Sequence, residues 1–207
     1  MHGRRSNKDR ESSLDLARIC HDNGFQIVRF DFRGHGESSD SPNWERYGVL
    51  DQKEDIESVL RYLKENDLLK GKIVFIASSF SAEAALLSAS WHNEVELLVL
   101  VSPGLGKNSS DAEDNRFRAV WWDKNLKVTQ IDFASYISTL TKINREVYSL
   151  HGDNDLHVPL EQSRELEQII GSNFHLHVIK NGGHKYSEPG EGMQQRQKII
   201  NEILSKI

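Results

Sequence analysis

Residues 73–89 read IVFIASSFSAEAALLSA and change character in the middle. An apolar run of strand length gives way to an alanine-rich run that suits a helix. Ser78, Ser79 and Ser81 lie where the two runs meet, with neither glycine nor proline among them. A polar turn that caps the helix would explain these serines. A nucleophile held on a tight strand-to-helix turn would also explain them. This stretch alone favours the capping turn and leaves both interpretations open.

Outward from this stretch, apolar runs of strand length alternate with segments of helical period. Several of the runs are almost continuously apolar, as is typical of parallel strands that are covered on both faces. We predict strands at FQIVRFDF (25–32), KIVFIA (72–77), VELLVLVS (95–102), REVYSLH (145–151) and FHLHVIK (174–180). The alternation predicts an α/β fold with a mainly parallel sheet flanked by helices.

Length and charge limit the classes of function. The 207 residues fit a single domain over 1–207. A net charge of −5 argues against nucleic acid or an anionic membrane as a partner. The only cysteine, Cys20, fits a reducing compartment. The basic N-terminal residues precede no apolar stretch, and apolar residues nowhere run for a membrane-spanning length. We therefore expect a cytoplasmic protein without a membrane span.

Residues 104–144 separate two predicted strands by more than an ordinary loop. Within them, DFASYISTL has helical spacing behind Asp132, a suitable N-cap. We interpret this region as a short helical lid inserted over a site, with a plain packing excursion as the alternative. Its aromatic side chains would suit an acyl or aromatic substrate, and we predict a substrate pocket at Trp121, Trp122, Phe133 and Tyr136.

Three chemically useful residue types follow three different predicted strands. The serines follow 72–77, Asp153 and Asp155 follow the strand that ends near 150, and His184 follows 174–180. Parallel strands bring their carboxyl ends to one edge of the sheet, where ligands bind in open α/β sheets. The chain order Ser, Asp, His is that of the α/β-hydrolase triad and differs from the chymotrypsin and subtilisin orders.

The motifs around these residues resemble those of α/β-hydrolases. NGFQIVRFDFRGHGES resembles the strand and tight turn of that family, HGDNDLHVP its acid loop, and NGGHKY its base loop. The resemblance covers the chain outside 104–144 and implies an acid at Asp155 rather than Asp153. It also implies His184 as the base.

The nucleophile turn departs from the G-x-S-x-G pattern of the family. Here Ala77 and Ser81 replace the two glycines, and both are small enough to fit a crowded turn. The resemblance therefore implies Ser79 as the nucleophile and the backbone N–H of Phe80 as one oxyanion-hole donor. This A-x-S-x-S-A form is similar to that of bacterial acyl-carrier thioesterases of the luminescence type.

The resemblance also assigns a role to the first residues. Family members often carry a second oxyanion donor in a loop that begins with His-Gly, which His2 and Gly3 match. The donor would then be the backbone N–H of Arg4, although an unstructured terminus is an equal alternative. In the family, the strand before this loop lies between the strands that would correspond to 25–32 and 72–77. We therefore expect either a gap there, filled by residues upstream of Met1 or by another segment, or direct pairing of those two strands.

The expected function is hydrolysis of a small carboxylic ester or thioester by a serine enzyme without a cofactor. The histidines lack zinc-ligand spacing, so no metal is expected. Two alternatives remain: an acyl-carrier thioesterase or acyltransferase, and a hydrolase-fold binding protein without turnover.

Overall fold

The computed structural model describes residues 1–38, 47–90, 92–104, 133–184 and 191–207, without the side chains of 133–136 and 191. Helices and strands alternate through most of the described residues. In chain order they are α1 (Glu11–Asp22), α2 (Val49–Glu65), β1 (Ile73–Ser78), α3 (Ser81–Ala89), β2 (Val95–Val101), α4 (Phe133–Leu140), β3 (Glu146–Gly152), α5 (Glu161–Ile170), β4 (Phe174–Ile179) and α6 (Glu191–Leu204).

The described strands form one four-stranded sheet in the order β1-β2-β3-β4, and every pair is parallel. The register aligns the carboxyl ends of the strands. Ser78 pairs with Val101, Val101 with Leu150, and Gly152 with Ile179. The segments that follow β1, β3 and β4 therefore begin at one edge of the sheet, as the sequence predicts.

Helices cover both faces of the sheet because side chains alternate along each strand. In β2, Leu98 and Leu100 point into a core that contains residues of α2, α3, α4 and α5. The alternate residues Leu97, Val99 and Val101 pack with residues of α1 and α6. All five β2 side chains are buried. The predicted α/β architecture, a parallel sheet flanked by helices, is confirmed.

The predicted strand over 25–32 is wrong, because these residues form no strand in the structure. At the carboxyl end of β1, the Ser78 N–H donates to the Met1 carbonyl at 3.3 Å. The Phe32 N–H donates to His2 Nε2 at 3.2 Å. Met1 and His2 thus lie between residues 25–32 and β1. Because residues 25–32 have no neighbouring strand to pair with in the described part of the chain, their strand-like sequence does not form a strand.

A cavity of about 240 Å³ lies between residues 25–30 and β1. Direct pairing of these two segments, one of the two expected arrangements, is not found among the described residues.

The interval 104–144 is described only at its two ends. The helical pattern in DFASYISTL corresponds to α4, with Leu140 fully buried. Asp132, Trp121 and Trp122 lie outside the described residues, and the side chains of Phe133 and Tyr136 are not described. The lid and its aromatic pocket therefore stay predictions. None of the described helices is long and apolar enough to cross a membrane.

Candidate active site

Ser79 lies on the tight turn that joins β1 to α3. Its φ of +54° is in the left-handed region, which costs a residue with a side chain about 1–2 kcal/mol. The surrounding chain holds this conformation: the Ser79 N–H donates to the Val101 carbonyl at 2.9 Å, and the Ser79 carbonyl accepts from Gly104 N–H at 3.1 Å. The three-serine segment is thus a strained strand-to-helix turn, and strain of this kind clusters at functional sites.

The other two serines of the segment have different surroundings. Ser81 is fully buried, and its Oγ accepts from the Ser78 N–H at 3.1 Å. The Ser81 hydroxyl lies 3.0 Å from the Ser78 carbonyl and 3.3 Å from the Met1 carbonyl. These contacts tie the turn to the first residue of the chain, which is a structural role. Among the described contacts of these serines, the hydroxyl of Ser79 is the one next to His184.

The side chains of Ser79, His184 and Asp155 form a continuous hydrogen-bonded line. His184 Nε2 lies 3.1 Å from Ser79 Oγ, and His184 Nδ1 lies 2.8 Å from Asp155 Oδ2. Because an ionised carboxylate only accepts, Nδ1 carries the proton and Nε2 is left as the acceptor for the Ser79 hydroxyl. The arrangement is able to take a proton from the serine.

Asp155 is held as a carboxylate in a buried position. Its side chain is fully buried, and Oδ1 accepts from the backbone N–H groups of His157 at 2.8 Å and Val158 at 2.9 Å. Burial alone would raise the pKa of Asp155, but hydrogen bonds from His151 and His184, together with the Val158 N–H, lower it well below its usual range. Asp155 therefore stays ionised across the working pH range.

The loops that carry Asp155 and His184 are in direct backbone contact. The Asp153 N–H donates to the Ile179 carbonyl at 3.1 Å, and the Asn154 N–H donates to the Gly182 carbonyl at 3.0 Å. A Cβ on Gly152 would lie 2.0 Å from the Gly182 carbonyl oxygen. Glycine at position 152 is what lets the two loops approach. The side chain of Asp153 does not contact His184, and the residue is exposed.

The N-terminal residues lie against Ser79. A Cβ on Gly3 would be 3.1 Å from Ser79 Cβ and 3.8 Å from Ser79 Oγ. The guanidinium of Arg4 stacks 4.9 Å from the centre of the Phe80 ring. Both residues that were predicted to supply oxyanion donors are thus brought together beside Ser79. Phe80 is also the N-cap residue of α3, and a helix N-terminus favours negative charge.

His2 anchors this N-terminal loop, so the alternative of an unstructured terminus is not what the structure shows. It is 4% exposed, lies 2.9 Å from the Gly3 carbonyl through Nδ1, and accepts the Phe32 N–H at Nε2. The carbonyl fixes the proton on Nδ1, which leaves Nε2 as the acceptor. Burial is the main cause that lowers the pKa of His2 to about 4. The neutral ring thereby joins the N-terminal loop to the 25–32 segment.

Sequence reasoning missed two side chains near the acid. His151 lies 3.4 Å from Asp155 Oδ2 through its Nε2, and the ring of His157 meets that of His184 edge to face at 5.2 Å. The only sequence signal for either is their place in HGDNDLHVP. Within the described ranges, no group of three or more His, Cys, Asp or Glu residues is arranged to hold a metal ion.

Comparison with known proteins identifies the family. The α/β hydrolase fold model matches residues 2–135, more than half of the chain, and the protein therefore belongs to the α/β hydrolase fold family. No curated protein matches the sequence significantly.

Solved structures agree on the fold. A monoacylglycerol lipase from Paleococcus ferrophilus superposes with a TM-score of 0.75 at 17% identity, covering 100% of this chain and 92% of its own. Est1E from Butyrivibrio proteoclasticus, solved with ferulic acid, gives 0.72 at 20% identity, with 100% and 85% coverage. A serine hydrolase homologue from Coxiella burnetii gives 0.63 at 23% identity, with 97% and 77% coverage.

Proposed function

We propose that this protein is a serine hydrolase that cleaves a carboxylic ester or thioester through an acyl-enzyme intermediate. The observation that carries the proposal is the line Ser79 Oγ–His184 Nε2 at 3.1 Å and His184 Nδ1–Asp155 Oδ2 at 2.8 Å, on a strained turn. This geometry satisfies the distances required of a nucleophile, its base and the group that orients the base.

In the acylation step, Ser79 Oγ attacks the carbonyl carbon while His184 Nε2 takes the hydroxyl proton. His184 then gives that proton to the departing alkoxide or thiolate, which leaves an acyl group on Ser79. In the second half of the reaction, water gives a proton to His184 and attacks the acyl carbon. The bond from that carbon to Ser79 Oγ then breaks, His184 returns the proton to Ser79 Oγ, and the acid is released. Asp155 holds the imidazole in the required tautomer and stabilises its protonated form.

The tetrahedral intermediates carry a negative oxygen, which needs hydrogen-bond donors. We assign this role to the backbone N–H groups of Phe80 and Arg4. Support comes from the position of Phe80 at the start of α3 and from the contact of Gly3 with Ser79. Each such donor contributes about 2.7–4 kcal/mol to transition-state stabilisation in a serine hydrolase.

The substrate class follows from this chemistry and from the names of similar folds. Among the similar structures are a monoacylglycerol lipase, Est1E with ferulic acid bound, and an esterase from Pyrococcus furiosus, which supports a small acyl ester as the first substrate to test. The proposed pocket at Trp121, Trp122, Phe133 and Tyr136 would take an acyl or aromatic group. The A-x-S-x-S-A turn favours a second candidate, an acyl-carrier thioesterase or acyltransferase.

A substrate panel tests the proposal. Nitrophenyl esters and acyl-thioesters of increasing chain length are given to the wild-type protein, to Ser79→Ala and to Ser78→Ala. We expect turnover by the wild type and by Ser78→Ala and none by Ser79→Ala. A preference for carrier-bound thioesters would select the second candidate. A folded wild-type protein that hydrolyses nothing in the panel would indicate a binding protein instead.

A further inference from the structure

His151 is a fully buried side chain that the proposed mechanism leaves unused. It lies on β3, one residue before the strand ends and four before Asp155. Its Nε2 is 2.9 Å from the Val158 carbonyl, and its Nδ1 is 2.7 Å from Ser163 Oγ on α5. Both ring nitrogens are therefore engaged, and the ring orientation is fixed.

The partners of His151 determine where its proton lies. The Val158 carbonyl only accepts, so Nε2 carries the proton and Nδ1 accepts from the Ser163 hydroxyl. Ser149 Oγ, 3.0 Å from Ser163 Oγ, then donates to Ser163. Ser149, Ser163 and His151 are all fully buried. The result is a one-way chain of donors, Ser149 to Ser163 to His151, in which a neutral ring satisfies every contact.

This chain ends at the catalytic acid. The Nε2–H of His151 points to the Val158 carbonyl and also lies 3.4 Å from Asp155 Oδ2, the oxygen that accepts from His184. The N–H of Val158 in turn donates to Asp155 Oδ1. His151 is thus linked to both carboxylate oxygens of Asp155. Its Nε2–H lies near Oδ2, and its hydrogen bond to the Val158 carbonyl holds the peptide group whose N–H donates to Oδ1.

We propose that His151 is a positioning residue that keeps Oδ2 of Asp155 aimed at His184, and that the hydroxyls of Ser163 and Ser149 lock it in the donating tautomer. This role rests on the proposed serine hydrolase function. It predicts that loss of the His151 N–H slows the chemical step and leaves substrate binding almost unchanged. The titratable side chains in contact with Asp155 are those of His151 and His184, and the ring of His157 packs against His184.

The test measures kcat and KM for ester hydrolysis in purified variants whose thermal unfolding is followed in parallel. His151→Leu removes the donor, and we expect kcat to fall about 10- to 100-fold, as for a lost hydrogen bond to a charged group, with KM within about twofold. His151→Gln keeps an N–H donor and should recover most of the lost kcat. Ser163→Ala should lower kcat less than His151→Leu does. The matched control is Ser88→Ala, another fully buried serine, which bonds Glu57 instead.

A double-mutant cycle separates positioning from general structural support. If His151 acts through Asp155, His151→Leu should change kcat by less than about twofold once Asp155→Asn is present. An equal loss in both backgrounds would overturn the proposed role. If His151→Leu does not fold, the same cycle is run with Ser163→Ala. If Ser79→Ala hydrolyses the ester as fast as the wild type does, the proposed serine hydrolase mechanism itself is overturned. A Ser79-dependent enzyme that is indifferent to His151→Leu and Ser163→Ala would overturn the positioning role alone.

Discussion

The side of the site that carries Asp155 and His184 and the N-terminal side that carries His2 were both inferred from short sequence motifs. Different kinds of contact hold the two sides in place. The loops after β3 and β4 emerge from paired parallel strands and touch through backbone groups, at Asn154 and Gly182. The N-terminal side has no such ladder. There, the imidazole of His2 bonds the Gly3 carbonyl and the Phe32 N–H. Strand pairing therefore fixes one side, and a buried side chain holds the other.

The difference shows which sequence patterns predict where a side chain lies in the folded protein. A residue that follows a paired strand inherits its place from the ladder, so Asp155 and His184 meet because β3 and β4 are in register. A segment such as 25–32 has the composition of a strand but depends on a partner that its own sequence does not specify. Predictions that change one side at a time sharpen this contrast.

The largest effect is expected at Asp155, the proposed catalytic acid. Asp155→Asn should lower kcat by up to about 10⁴-fold, because the amide favours the wrong tautomer of His184. Asp153→Asn is the matched control, since that exposed side chain does not contact His184, and it should lower kcat by less than about twofold. Steady-state ester hydrolysis measures both. The reverse ranking would move the acid to Asp153.

Next in size is the contact between the acid and base loops. Gly152→Ala places a Cβ 2.0 Å from the Gly182 carbonyl oxygen, and backbone cannot yield as a flexible side chain does. We expect the free energy of unfolding to fall by about 3 kcal/mol or more, with loss of activity. Urea denaturation measures the change. Gly192→Ala is the control, because its Cβ would meet its nearest atoms, Gly182 Cα and Ile179 Cγ2, at ordinary contact distances of 3.4 and 3.6 Å. Equal losses in the two variants would show that the loops do not depend on this approach.

The smallest effect is expected on the N-terminal side, and it depends on pH. Burial lowers the pKa of His2 from 6.5 to about 4, so between these values the unfolded chain binds a proton that the folded protein excludes. Stability should therefore rise with pH over this window, by about 3 kcal/mol from His2 alone. Asp155, whose pKa is lowered, also contributes stability that grows as pH rises from the acid side. That contribution is the same in the wild-type protein and in a variant at position 2.

His2→Gln isolates the contribution of His2. The carboxamide oxygen is able to accept the Phe32 N–H but does not titrate. Urea denaturation of both proteins at a series of pH values from about 4 to about 7 should give a flatter curve for His2→Gln. Parallel curves for the two proteins would show that His2 is not buried as a neutral ring.

Much of the sheet and of the site was predictable from the sequence, for physical reasons. Four apolar runs match strands within one or two residues, because buried parallel strands need continuous apolar sequence. The placement of Ser79, Asp155 and His184 followed from the strand ends. The strand at 25–32 was predicted wrongly. The burial of His2 and the contacts of His151 were not predictable, because they depend on tertiary partners that local sequence does not name.

The most direct test of the central claim is covalent labelling of Ser79. A fluorophosphonate reacts when an activated serine oxygen attacks phosphorus and fluoride leaves. The folded protein is incubated with the probe, digested, and analysed by mass spectrometry for the modified residue, with Ser79→Ala and Ser81→Ala in parallel. We expect one phosphonate on Ser79 in the wild type and in Ser81→Ala, and none in Ser79→Ala. An unlabelled folded wild type, or a phosphonate on Ser78 or Ser81, would contradict the account.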